Sequence, residues 1–340
     1  MVIPNSDVIT MAEKFSRALA SKDAAAMRRL IQAYQDIYES ILPRIELLLT
    51  KIELTGEITA SQLYRMSVYK DLIDTIQKEL DQYATFMKVE LRNIANEAIL
   101  SGNKDSILLM RQILIEAGLI ENIVFNAADP NVIKKLLGFL DPGGSLWKTL
   151  EKYGEFTADK VSKKIIEGVA QGLNPKVVAR MIQEAMGENL TAAMRTARTV
   201  QLWAYREASR QSYQNFNQQY NMQLVKGWTW HANLDDKTCA ACWVLDGTFY
   251  ELDTNLDGHY NCRCAMIPIT MLDPNPTRRQ GIDEFMNLSE EQQKKILGPG
   301  KWQGWKDGRF ELKDIVKNIE NTDYGSMKVP KTMKELMGEE

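Results

Sequence analysis

The 340-residue sequence is poor in cysteine and histidine, with four of the first and two of the second. So few cysteines in so long a chain make a poor disulfide framework and point to reduced thiols and intracellular synthesis. Long apolar runs are missing: no stretch reaches the roughly 18 uncharged apolar residues of a membrane span. The opening MVIPNSDV lacks the basic start and apolar core of a secretory signal. Neither sign of charge is in excess. The formal net charge of -3 argues against a protein that binds nucleic acid over its whole surface, although it allows a local basic face. Catalytic signatures are equally scarce. HExxH, GxGxxG and GxxxxGK[ST] do not occur, and no regularly spaced carboxylates offer a magnesium site. The glycine-rich GPGKWQG at 298–304 follows a helix without P-loop spacing and reads as a turn.

What the chain does have is helical periodicity. Hydrophobic residues make up 44% of it, enough for real cores. From Ser6 to about Ile52, apolar positions such as Leu30, Tyr34, Ile37 and Ile41 recur three and four apart, with Pro43 the only breaker. Thr55-Gly56 ends that run. A second stripe, including Leu72, Ile76, Leu80, Tyr83 and Met87, extends to about Leu119, and Ser101-Gly102-Asn103 reads as a helix end and restart. Helices this long suggest an extended hairpin, or an arm that packs against copies of itself or a larger partner. Turn signals at 128–130 and 141–144 bracket a short helix at 132–140. Further helices are expected at about 146–153, 157–172, 176–186 (behind an Asn174-Pro175 cap) and 190–216.

Beyond Asn221 the period shortens to that of strands, at 224–230, 247–252 and 265–269. Ser289 caps a helix at Glu290–Leu297. A loop with Trp302 and Trp305, read as packing anchors for the small module, then leads to a short helix from about Glu311, and the residues from Val329 onward show no stable pattern. The expected fold is mostly α: long helices in the N-terminal and middle regions, then a small α+β module with a Cys/His zinc-type knuckle. The implied divisions are an extended helical region at 1–120, a helical part at 121–224, the β-rich Cys/His module at 225–275 and a helical tail at 276–340.

All four cysteines and both histidines fall in one window, WTWHANLDDKTCAACWVLDGTFYELDTNLDGHYNCRCAMIP. Cys239 and Cys242 form a C-x2-C pair; after 16 intervening residues comes His259, followed by Cys262 and Cys264. Two cysteines on one tight turn present both sulfurs to a single ion, and zinc takes four such ligands tetrahedrally. The first choice of ligands is Cys239, Cys242, Cys262 and Cys264; the alternative replaces one of the last two with His259. Either set fills every position, which describes a closed structural Zn2+ site. A catalytic alternative is a metal-dependent nuclease or hydrolase built on His231, Asp235, Asp236 and His259. The helix at 190–216 carries Arg195, Arg198, Arg206 and Arg210, which either grip phosphates and carboxylates or form a solvated face. Arg263, between two candidate ligands, either contacts a partner anion or orients the ligands.

The window, from WTWHANLDDKTCAACWVLDGTFY to the closing HYNCRC and its nearby proline, resembles the signature of the phage head morphogenesis family, the minor head or minor capsid proteins of tailed bacteriophages. Trp230, Asp235 or Asp236, Cys239, Cys242, Gly247, His259, Cys262, Arg263 and Cys264 match that pattern, while Tyr260 stands where proline is usual. The likeness extends over roughly 170–320 and makes 121–224 the helical part of the head morphogenesis domain. It implies a non-enzymatic virion component present in few copies, associated with the portal protein and with the major capsid or scaffold protein. It further implies assembly in the host cytoplasm, a place at the portal vertex of the capsid, and contact with packaged double-stranded DNA during packaging or delivery. Self-association through the long helices is a further expected contact.

Overall fold

A computed structural model describes residues 7–55, 58–118, 124–129, 131, 133, 135, 138–221, 223–272 and 279–338. Helix α1 runs over Asp7–Thr55 and passes through Pro43 without ending. Pro43 and Glu39 both lie on the exposed side, where solvent can take the carbonyl that proline leaves without a donor. A short α2 (Ala60–Arg65) starts at Thr59, whose side chain and that of Gln62 complete a capping box. Then α3 spans Ser67–Glu116, α4 Ser145–Glu151, α5 Tyr153–Ala170 and α6 Pro175–Gln219. Among the described residues no helix is long and apolar enough to cross a membrane.

The chain divides into two compact units, and α1, α3 and α6 contribute residues to both. One unit comprises Asp23–Ile94 and Phe139–Arg198. Its core is the apolar stripe legible in the sequence, with Leu30, Ile41, Leu48, Leu72, Ile76 and Leu80 fully buried. Three tyrosines knit it together, Tyr34 and Tyr83 buried and Tyr153 half-buried. Tyr34 and Tyr83 meet edge to face at 5.1 Å, and the hydroxyls of Tyr34 and Tyr153 each donate at 2.8 Å, to the carbonyls of Met186 and Asn189. Those carbonyls belong to the stretch where two helices were expected. Instead α6 continues through Gly187, and the tyrosine hydroxyls brace it there.

The other unit comprises Met1–Lys22, Ala95–Gly138 and Thr199–Glu340. Ser101-Gly102-Asn103 proves to be a crossing point rather than a helix end. A Cβ on Gly102 would lie 2.5 Å from the carbonyl oxygen of Tyr205 and 2.9 Å from Cβ of Ala208, so glycine lets α3 and α6 touch backbone to side chain. Asn103 beside it is buried and satisfied, donating to the Ala128 carbonyl at 2.9 Å and accepting from the Ser212 hydroxyl at 2.8 Å.

This unit also holds the small module. Strands β1 (Val225–His231), β2 (Phe249–Glu251) and β3 (Ala265–Thr270) form an antiparallel sheet in the order β2-β1-β3. Trp228 pairs with Tyr250 across the sheet, the rings stacked at 4.6 Å. Pro268 falls on the edge strand, where its missing N–H costs least. Between β1 and β2 lies α7 (Ala240–Leu245). Helices α8 (Gly281–Met286), α9 (Glu290–Leu297) and α10 (Pro299–Lys306) follow. Ser289 caps α9 as expected, but the Trp302 region is the helix α10, entered through Pro299, not a loop. Trp302 is buried in a cluster with Ala240, Trp243 and Phe285, which makes it a packing anchor.

The tail departs most from expectation. No helix grows from Glu311; a 3-10 turn at Leu312–Ile315 leads into a hairpin of β4 (Val316–Asn321) and β5 (Gly325–Pro330). The last residues, expected to lack pattern, end β5 and form α11 (Met333–Leu336), capped by Thr332 and Glu335. Of the short helix expected at 132–140, Ile133 and Lys135 are helical and Gly138–Leu140 form a 3-10 turn, while residues 132, 134, 136 and 137 lie outside the described ones.

Gly102→Ala tests the helix crossing. At a free helical site the change would stabilise by up to about 1 kcal/mol. Here the added methyl meets backbone, and a loss of about 1 to 3 kcal/mol is expected from the shift in urea midpoint. A gain would contradict the close approach.

Candidate metal centre

Two short turns deliver the donors. In the first, Cys239 caps α7 and its Sγ accepts the N–H of Cys242 at 3.4 Å. In the second, the chain reverses at Asn261, which has φ of 58°, and the N–H of Cys262 donates to the carbonyl of His259 at 3.0 Å. The turns face each other. His259 Nε2 lies 3.1 Å from Cys239 Sγ and 3.3 Å from Cys242 Sγ, and Cys242 Sγ lies 3.8 Å from Cys262 Sγ. Cys239, Cys242 and His259 form one group of donor atoms within 4.8 Å of one another, and Cys242, Cys262 and Cys264 form a second. Cys242 belongs to both. All five donor residues line one small cavity of about 20 Å³.

Three guanidinium clamps set this geometry. Arg206, on α6 and almost fully buried, donates through Nε to the carbonyl of Cys264 at 3.0 Å, and through Nη2 to the carbonyls of Cys262 at 2.5 Å and Cys264 at 2.8 Å. Arg263 grips both carboxylate oxygens of Asp235, Nη1 at 2.7 Å. Asp235 in turn accepts from Lys237 N–H and the Thr238 hydroxyl, which fixes the loop leading into Cys239. Asp246, fully buried after α7, accepts from the Ala232 N–H at 2.6 Å and from Arg279 Nε at 2.9 Å. A Cβ on Gly258 would lie 2.7 Å from Arg206 Nη1 and 3.0 Å from Cys262 Sγ, so that position too demands glycine.

The β4–β5 hairpin closes the second turn from the other side. Lys328 N–H donates to the Asp257 carbonyl at 2.7 Å. Tyr260, the departure from the family pattern, accepts from Asn321 at 2.8 Å and meets Tyr324 edge to face at 5.6 Å. Tyrosine at this position thus anchors the loop through the hairpin.

The thiols have unlike proton affinities. The bond from Cys242, seconded by His259 against the opposing effect of burial, draws Cys239 down to about 5. Bonds from Cys242 and Cys264 also hold Cys262 well below the ordinary thiol range. Burial works to lower His259, but its bond to Cys239 and the charges of Cys262 and Cys239 outweigh it and raise it to about 9. Asp235 sits at about 2, chiefly through its bonds from Arg263. A set of soft donors around one small gap, two of them drawn toward thiolate, is chemically suited to a tetrahedral metal ion.

Three residues of the catalytic alternative have other partners. His231 faces Glu13 at 3.5 Å, Asp235 is occupied by Arg263, and exposed Asp236 has Lys295 at 3.9 Å. Neither of the two donor groups found among the described residues includes His231, Asp235 or Asp236. The arginine helix needs correction as well. Arg206 and Arg210 are buried, Arg210 being paired with Glu207 at 2.6 Å and bonded to the Leu252 carbonyl at 3.0 Å, so neither offers a surface to DNA or a partner. Arg195 is exposed and Arg198 half-buried. Arg263 is spent on Asp235 and fills the orienting role. The role of Arg206 was missed in the sequence, although Trp203, Tyr213 and Phe216 mark an apolar stripe that runs through positions 206 and 210.

Residues 159–267 match the family model described as Phage Mu protein F like protein. The match covers about a third of the chain, takes in α6 and every donor, and links the chain at family level to phage head-morphogenesis proteins. No curated protein and no solved structure gives a significant match.

Arg206→Met is expected to cost about 3 kcal/mol, because it leaves two buried carbonyls without donors. Thermal and urea unfolding of the full chain measure it, and an unchanged midpoint would show that the clamp contributes nothing.

Proposed function

We propose that the chain is a structural minor head protein of a tailed phage. In this reading it is made in the host cytoplasm, joins the portal protein and the major capsid or scaffold protein during head assembly, and stays in the virion at the portal vertex. It is not an enzyme. Its Cys/His centre binds one structural Zn2+ that staples a module whose strands and helices are too short to hold together unaided. The observation that carries the reading is the content of the family-matched segment: helix α6, the Arg206 clamp and all five donors lie inside residues 159–267.

Two surface features support the partner assignments. Leu47 and Leu54, seven residues apart on α1, are exposed at 48% and 78%, a spacing suited to packing against another helix and hence to self-association. Contact with packaged double-stranded DNA by the arginine helix falls on Arg195 and Arg198, the two that reach solvent.

Sedimentation of the full chain with portal protein and with assembled heads tests the role. Co-sedimentation with portal is the expected result; no association with portal, capsid or scaffold protein contradicts it. Incubated with double-stranded DNA and zinc or magnesium, the protein is expected to leave the DNA intact. Cleavage that disappears in Asp235→Ala or Asp236→Ala would overturn the non-enzymatic reading.

A further inference from the structure

We infer that the metal ligands are Cys239, Cys242, His259 and Cys262, and that Cys264 is a buried thiol outside the coordination sphere. This rests on the structural zinc reading and names its ligand set, reversing the four-cysteine choice that spacing alone favours.

The histidine is the first observation. His259 Nδ1 lies 2.7 Å from the carbonyl of Tyr260. A carbonyl only accepts, so Nδ1 carries a proton and Nε2 is the ring nitrogen left to bind an ion. Nε2 points at the sulfurs of Cys239 and Cys242. A ring whose remote nitrogen is tied to a carbonyl while the other faces sulfur donors is the arrangement that fixes a metal-bound imidazole.

The turns are the second. Cys239-x2-Cys242 and His259-x2-Cys262 have the same spacing and face each other, with Cys242 and Cys262 Sγ at 3.8 Å. Two sulfurs about 2.3 Å from one tetrahedral ion lie about 3.8 Å apart. Cys264 follows the second turn, at the foot of β3. Its Sγ lies within 4.8 Å of those of Cys242 and Cys262, but, unlike those two, the residue also lines a separate small cavity with Leu202, Tyr213 and Met266.

Charge is the third. Zn2+ with four thiolates carries two negative charges, and with three thiolates and a neutral imidazole only one. The charge of Arg263 is already matched by Asp235. Arg206 is the remaining buried cation bonded to this loop, and one guanidinium balances the second centre but not the first.

Zinc-edge X-ray absorption of the zinc-loaded full chain, with metal content of the variants, tests the assignment. Three sulfurs at about 2.3 Å and one nitrogen at about 2.0 Å are expected. Cys264→Ala should keep one zinc per chain, and His259→Ala should lose zinc to a chelator at least about tenfold faster than Cys264→Ala. A shell of four sulfurs, or zinc lost from Cys264→Ala but retained by His259→Ala, overturns the assignment and leaves the staple intact. A wild-type chain that binds no zinc overturns both.

Discussion

A single buried guanidinium constrains most of this unit. Arg206 leaves the middle of a helix 45 residues long and ends on the carbonyls of Cys262 and Cys264. A charge taken out of water costs several kcal/mol unless it is bonded, so the rotation of α6 and the path of the cysteine loop must be satisfied together. Gly258 has no side chain because the guanidinium passes there, and Gly102 has none because α6 must come that close to α3. The Arg263–Asp235 and Arg279–Asp246 pairs repeat the device on either side of α7. Thus the loops around the donors are held by arginines from a helix and from the chain itself.

The size of the module is what the proposed metal answers to. Around the centre are a three-stranded sheet and helices of six to eight residues. Their apolar clusters are small, built on Trp228 and Trp230 on one side and Trp243, Phe285 and Trp302 on the other. In the proposed reading, a metal held between the two turns adds the long-range crosslink that such elements lack. The β4–β5 hairpin contributes in the same sense, since Asn321, Tyr324 and Lys328 all reach the loop that carries His259.

Periodicity and spacing made much of this legible in advance. The stripe from Leu30 to Ile41, its partner from Leu72 to Met87, the three strands of the module and the gathering of the donors all follow from local pattern. The failures have a common cause. Ser101-Gly102-Asn103 and Gly187 look like helix ends because glycine and asparagine are poor helix formers, yet tertiary contacts with Tyr205, Ser212, Tyr34 and Tyr153 keep both helices running. Arg206 and Arg210 look like a basic face because arginine is usually exposed, and only the fold shows the carbonyls that receive them. The hairpin at 316–330 has a turn signal in Asn321 and Gly325, but its strands are half-buried and mixed in polarity, so no alternation announces them. Local chemistry identified the donors; long-range contacts decide how they are held.

The central claim is that one metal ion completes the fold of this module. Native mass spectrometry of the full chain, paired with hydrogen exchange before and after chelation, tests it directly. The account predicts one zinc per chain, with protection in residues 225–338 collapsing once the metal is removed while that of α1 and α3 within 23–94 persists. A metal-free chain whose cysteine loops and β4–β5 hairpin stay fully protected would contradict it.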